Sequence, residues 1–179
     1  MPKNARIAAR RSRRGSGSRH SLLLLDRNAS VPFLLVAASN KIVASASQAY
    51  MRHYRLGIME WRVMALLAAD PGITGKDISV LSGVTAGSVS RAINILNKRR
   101  YLDVSDDAAD NRRSILKLNA AGIALHDRII ISALERETLL LTGFSQAERR
   151  TLLKYLRRLL ANIALVNTHE PRHSAVKDV

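Results

Sequence analysis

Apolar residues recur at three- and four-residue steps through most of the chain, and the breaks fall at glycine, proline and small polar residues. That periodicity predicts a mainly helical fold. Ser30 before Val31 and Pro32 marks a helix start, because proline is tolerated where a first-turn N–H has no partner anyway; the pattern then runs to about Tyr54. Alanine and serine fill this helix between the larger Leu35, Ile42 and Tyr50, a composition that suits close helix contact, within the chain or between subunits. Gly57 interrupts it. A second helix is expected from Met59 to Ala69, with Trp61, Met64, Ala65 and Ala68 on one face, ended by the turn Asp70-Pro71-Gly72.

Thr74 stands three residues before Asp77, an acidic capping box that opens a short helix with Ile78 and Leu81, closed by Gly83. Thr85 is expected to cap the next helix, whose Val89, Ile93 and Leu96 form a buried stripe; Gly87, Ser88, Ser90, Arg91 and Asn94 lie opposite. After Lys98-Arg99-Arg100 the pattern becomes extended. Tyr101 to Val104 and Ser114 to Leu118 read as two strands joined by the polar stretch Ser105 to Asn111. Asn119 caps a long helix through Ala124, Ile131, Leu134 and Leu141 that Gly143 ends, and a Ser145/Glu148 capping box opens a last helix carrying Leu152, Leu156, Leu159, Leu160 and Ile163. The expected organisation is therefore mainly α with a small β-hairpin: a basic tail over 1–29, one fold over 30–168, and a disordered tail over 169–179.

Charge narrows the function. A net +15 exceeds what solubility requires and implies an anionic partner, nucleic acid or a membrane surface. Residues 1 to 20 hold Lys3, Arg6, Arg10, Arg11, Arg13, Arg14 and Arg19 and no acid, yet the rest of the chain stays basic without them. This start is similar in composition to an organellar transit peptide; a solvated tail is the simpler reading. No apolar run approaches the roughly 18 residues of a membrane span, so no membrane partner is expected and the location is read as cytoplasmic. The absence of cysteine excludes disulfides, thiolate metal sites and thiol redox sensing.

The segment Thr74 to Arg100 has the form of a helix-turn-helix, in which a second helix with a small polar leading face enters the DNA major groove. Gly87, Ser88, Ser90 and Arg91 supply small residues for close approach and donors for base edges, with Arg91 suited to a bidentate contact to guanine. The hydroxyls of Thr85 and Ser88 sit where a helix start can hold a phosphate; for Thr85, capping alone is a sufficient account. Lys98, Arg99 and Arg100 favour the helix dipole whether or not phosphates lie nearby. Arg112 and Arg113 sit at the mouth of the hairpin loop, where a guanidinium can enter the minor groove, and Asp110 stands where it can orient Arg112. A plain hairpin salt bridge is the bland alternative for that pair.

These residues carry a resemblance. The segment from about Ile58 to Gly122 resembles the MarR family of transcription regulators, in a helix-turn-helix ending Leu96-Asn97-Lys98-Arg99, in Asp110 and Arg112 at D-x-R places within Asp107 to Arg113, and in Leu116-Lys117-Leu118-Asn119-Ala120-Ala121-Gly122, similar to L-x-L-T-x-x-G. With the flanking helices the likeness extends over about 30 to 168. It implies a winged helix-turn-helix over 58–122 and dimerisation helices over 30–56 and 123–168. It further implies a homodimer on a pseudo-palindromic double-stranded DNA operator, and release by a small aromatic or anionic effector. Base reading would fall to Ser88, Ser90 and Arg91, and minor-groove contact to Arg112 braced by Asp110. The chain departs from the family pattern at Arg100, where glycine is common, near Val104, where an arginine is common, and at Asn119, in place of threonine.

Other chemistry finds little support. His169-Glu170-Pro171-Arg172-His173 satisfies the zinc-protease spacing, but that chemistry needs both histidines on one helical face and Pro171 opposes a helix there. His53 and His126 read as surface or packing residues. No glycine-rich phosphate loop, serine elbow or paired acids appear, so neither an enzyme nor a resident metal or cofactor is expected. The competing function is a winged-helix scaffold that binds protein or RNA without reading an operator.

Overall fold

The computed structural model describes residues 26–107 and 110–170, without side chains over 107–113. Its order is α1 (Val31–Tyr54), α2 (Ile58–Ala69), α3 (Gly75–Ser82), α4 (Ala86–Lys98), β1 (Leu102–Asp107), β2 (Asp110–Leu118), α5 (Ala120–Leu140) and α6 (Gln146–Asn167). The described residues fall into two units that divide between Ser45 and Ala46. In the first, Asp26 closes a turn by accepting from the Asn28 N–H at 2.9 Å, and the Ser30 hydroxyl accepts from the Phe33 N–H at 3.4 Å as α1 begins. Val31, Phe33, Leu34, Leu35, Val36 and Ile42 are all exposed.

The second unit is built around α2. Its buried face is Glu60, Trp61, Val63, Met64 and Leu67, wider than the expected stripe, because α2 packs against α3, α4, α5 and β2; Ala68 is exposed instead. Leu56, Ile78, Val89, Leu96 and Ile129 complete the least accessible core. The Trp61 ring stacks on His126 at 5.5 Å and meets Tyr50 edge-on at 5.8 Å, so His126 is a packing residue, half-buried and bonded to Asp127. Burial pushes the Tyr50 hydroxyl above its ordinary pKa. His53 is exposed beside Tyr54.

Both expected capping boxes form: Asp77 accepts from the Thr74 N–H at 2.9 Å, and Glu148 from the Ser145 N–H at 2.8 Å. The antiparallel hairpin runs longer than expected. Its ladder pairs Leu102 with Leu118 and continues to Asp107 and Asp110 across a bulge at Asp106/Asp107. Backbone pairing needs no apolar side chains, so the polar residues Ser105 to Asp107 extend the ladder without an apolar alternation to mark them. Ile73 pairs with Leu116, and the Gly72 N–H donates to the Leu116 carbonyl at 2.9 Å, fastening the hairpin to the start of the helix-turn-helix.

Of α5, Gly122, Leu125 and Ile129 are buried, whereas Ile131 and Leu134 are exposed; α6 buries none of its residues. No helix among the described residues is long and apolar enough to cross a membrane.

Candidate nucleic-acid interface

Helix α4 presents Gly87, Ser90, Arg91 and Asn94 exposed and Ser88 half-exposed, while Val89, Ala92 and Leu96 anchor its other side. Thr85 occupies the N-cap position with extended backbone but makes no side-chain cap. Its hydroxyl instead donates to the Ser88 Oγ at 3.1 Å, and Arg91 Nη2 donates to the same oxygen at 3.1 Å. The expectation of a capping threonine is thus corrected. The Ser88 N–H, which a capping hydroxyl would accept from, donates to the Thr85 carbonyl at 3.0 Å instead, and the side-chain bonds Thr85–Ser88–Arg91 lay the guanidinium along the first turns of α4. The first N–H groups of a helix lack intrahelical partners, so this end also offers donors to an anion.

The expected residues form two adjacent rows. Ser88 and Arg91 make one, three residues apart. Ser90 and Asn94 make the other, along a groove of about 930 Å³ between α3, α4 and the hairpin that Asn97, not among the expected residues, also lines. Lys76 lines the same groove from the first turn of α3. Sequence reasoning passed over it because a lone lysine beside a capping box resembles any solvated helix start; its place two residues after Thr74, at the mouth of the helix-turn-helix, was the available signal.

At the far end of α4, Arg99 Nη1 donates to the Arg55 carbonyl, so this arginine is engaged within the chain. Arg100 stands in the left-handed region at φ 58°, the conformation that explains the usual glycine. Asn119 caps α5 through its Oδ1, which accepts from the Gly122 N–H at 2.9 Å.

Asp110, Arg112 and Arg113 lie within β2 rather than at a loop mouth, since the strand begins at Asp110. Their side chains, and with them the bracing of Arg112 by Asp110, lie outside the described residues. His169 and Glu170 follow the end of α6 without helical structure, so the zinc spacing lacks its helix there. Pro171 and His173 lie outside the described residues. Among the described residues no three His, Asp or Glu side chains gather as a metal site.

A family model described as the MarR family matches residues 56–113. Comparison with curated proteins gave no significant match. Among solved structures, a MarR/EmrR family transcriptional regulator from Acinetobacter sp. ADP1 is 27% identical, covering 80% of this chain and 99% of that one with a TM-score of 0.72. A MarR family transcriptional regulator from Silicibacter pomeroyi is 25% identical over 81% of this chain and 95% of its own, with a TM-score of 0.70. Bordetella bronchiseptica BpsR, whose DNA binding is regulated by 6-hydroxynicotinic acid, is 25% identical over 74% of this chain and 94% of its own, with a TM-score of 0.65.

Proposed function

We propose, from the match of a MarR family model to residues 56–113 and the likeness to MarR/EmrR family structures, that the chain is a sequence-specific duplex DNA-binding transcription regulator, acting as a homodimeric repressor that a small effector releases. The observation that carries this reading is the exposed face of α4, where Thr85, Ser88 and Arg91 are joined by hydrogen bonds beside a groove lined by Ser90, Asn94 and Lys76. Small residues at the helix start permit close approach to DNA, and a preset guanidinium meets guanine without first losing its rotamer freedom.

In this reading Gly87, Ser88, Ser90, Arg91 and Asn94 face the major groove, Thr85 and Lys76 lie against phosphate, and Arg112 and Arg113 reach the minor groove with Asp110 orienting Arg112. Residues 58–122 are the DNA-binding region, flanked by dimerisation helices over 30–56 and 123–168. Helix α6, with no fully buried residue and with Leu160, Ile163, Leu165 and Val166 exposed, supports a partner subunit. As BpsR responds to an aromatic acid, the effector proposed here is a small aromatic or anionic molecule. The protein works in the cytoplasm and catalyses no reaction.

The test is binding of the full chain to duplex DNA at several salt concentrations. A protein neutralising several phosphates loses affinity steeply as salt rises. A flat response, or no binding, would instead favour a protein- or RNA-binding scaffold.

A further inference from the structure

Apolar packing of Val89, Ala92 and Leu96 sets which face of α4 is buried against α2 and α3, but such contact is non-directional. A hydrogen bond is directional. We propose that Arg99 is a positioning residue: its guanidinium ties the end of α4 to the end of α1 and thereby fixes how the reading face is presented to DNA. The inference rests on the DNA-reading function above and adds to it the origin of half-site spacing.

Both ends of this tie are turns closed by backbone hydrogen bonds. On one side the Arg55 N–H donates to the Met51 carbonyl at 3.2 Å, Arg55 is left-handed at φ 53°, and the next residue, Leu56, is fully buried. The Arg55 carbonyl is thereby held at the negative end of α1, where a cation is favoured. On the other side α4 closes with the Tyr101 N–H donating to the Leu96 carbonyl at 3.0 Å and the Arg100 N–H to that of Asn97 at 2.8 Å, around left-handed Arg100 and fully buried Leu96. Arg55 and Arg100 are the only non-glycine residues with positive φ among those described, and the Arg99 side chain joins the two turns they make. The carbonyl of Arg100 is held in turn by Asn119 at the start of α5. The end of the reading helix is therefore fastened, at consecutive residues, to α1 and to α5. If those helices pair two subunits, the tie sets the separation at which both copies of α4 meet one duplex.

The experiment uses full-length protein and the duplex it selects from a random library, together with versions whose half-sites are moved one base pair closer or further apart. Arg99→Ala is compared with Lys98→Ala, which removes the same charge from the same helical turn, and with Arg99→Lys, which keeps a donor. Expected is a loss of about five- to tenfold for Arg99→Ala on the selected spacing, with the preference for that spacing flattened. Lys98→Ala should lower affinity evenly across all spacings, and Arg99→Lys should restore much of the preference. Should Arg99→Ala fail to fold, Arg99→Met keeps the stem, lacks the donors and carries the same test. A selected duplex on which Arg99→Ala (or Arg99→Met) and Lys98→Ala behave alike overturns this assignment alone. Wild-type protein that selects no sequence overturns the DNA-reading function and this assignment with it.

Discussion

The side-chain amide of Asn119 donates to the main-chain carbonyl of Arg100 at 2.9 Å. These are two of the positions at which the chain departs from the MarR family pattern that it resembles, and they touch. Arginine at a left-handed position is strained where glycine would not be, while asparagine in place of threonine adds an amide donor that holds the strained peptide. Arg100→Gly should stabilise the protein by about 0.5–1 kcal/mol, the relief of strain being partly offset by a freer unfolded chain. Asn119→Thr keeps a cap but loses the amide donor, and should cost about 0.5–1.5 kcal/mol. Denaturant unfolding of both single variants and the double variant measures each effect, and their coupling.

Two glycines should respond to alanine in opposite ways. A Cβ on Gly122 would lie 2.2 Å from the Tyr101 carbonyl oxygen, so Gly122→Ala should destabilise by about 2–3 kcal/mol. A Cβ on Gly87 would meet nothing within 4 Å. Gly87→Ala should therefore raise stability by about 0.5–1 kcal/mol and yet weaken operator binding, because only the bound duplex has a use for the bare backbone. Paired melting and binding measurements decide it; unchanged affinity would remove Gly87 from the interface.

The Ser145 hydroxyl, and after it the Ser145 N–H, hold the Glu148 carboxyl below the ordinary glutamate range. A carboxyl with a lowered folded-state pKa stabilises the fold at neutral pH, and that contribution is lost as pH falls through the lowered value. Glu148→Gln should therefore be less stable than wild type near neutrality, with the gap closing in acid below the ordinary glutamate range. Melting temperatures across that range test this.

Lys76 and Arg91 should separate phosphate contact from base reading. Lys76→Ala should weaken binding evenly across sequences and reduce the salt slope by about one. Arg91→Ala should cost about 1–3 kcal/mol on the operator and relax sequence preference. Arg112→Ala should weaken binding by a similar order, roughly 1–3 kcal/mol, through the minor groove.

Much of the fold was legible because its signals are local. Thr74 with Asp77 and Ser145 with Glu148 announce helix starts within four residues, and the Val89 to Leu96 stripe announces a buried face. What escaped depends on partners distant in sequence. The tie from Arg99 to Arg55 spans 44 residues, and Thr85 turned to Ser88 instead of capping. Buried Glu60, whose Oε2 has no hydrogen-bond partner, sits where pattern alone would place a solvated acid. At the candidate site, the residue types on α4 were readable, but their division into two rows, and the groove shared with Lys76, required the packed helices.

The most direct test of the central claim is guanine-N7 methylation interference on a bound operator, comparing wild type with Arg91→Ala. If α4 reads the major groove through Arg91, methylation of a guanine in each half-site will block wild-type binding, and the same marks will be silent for the variant. Interference that is absent, or identical in both proteins, would contradict the account.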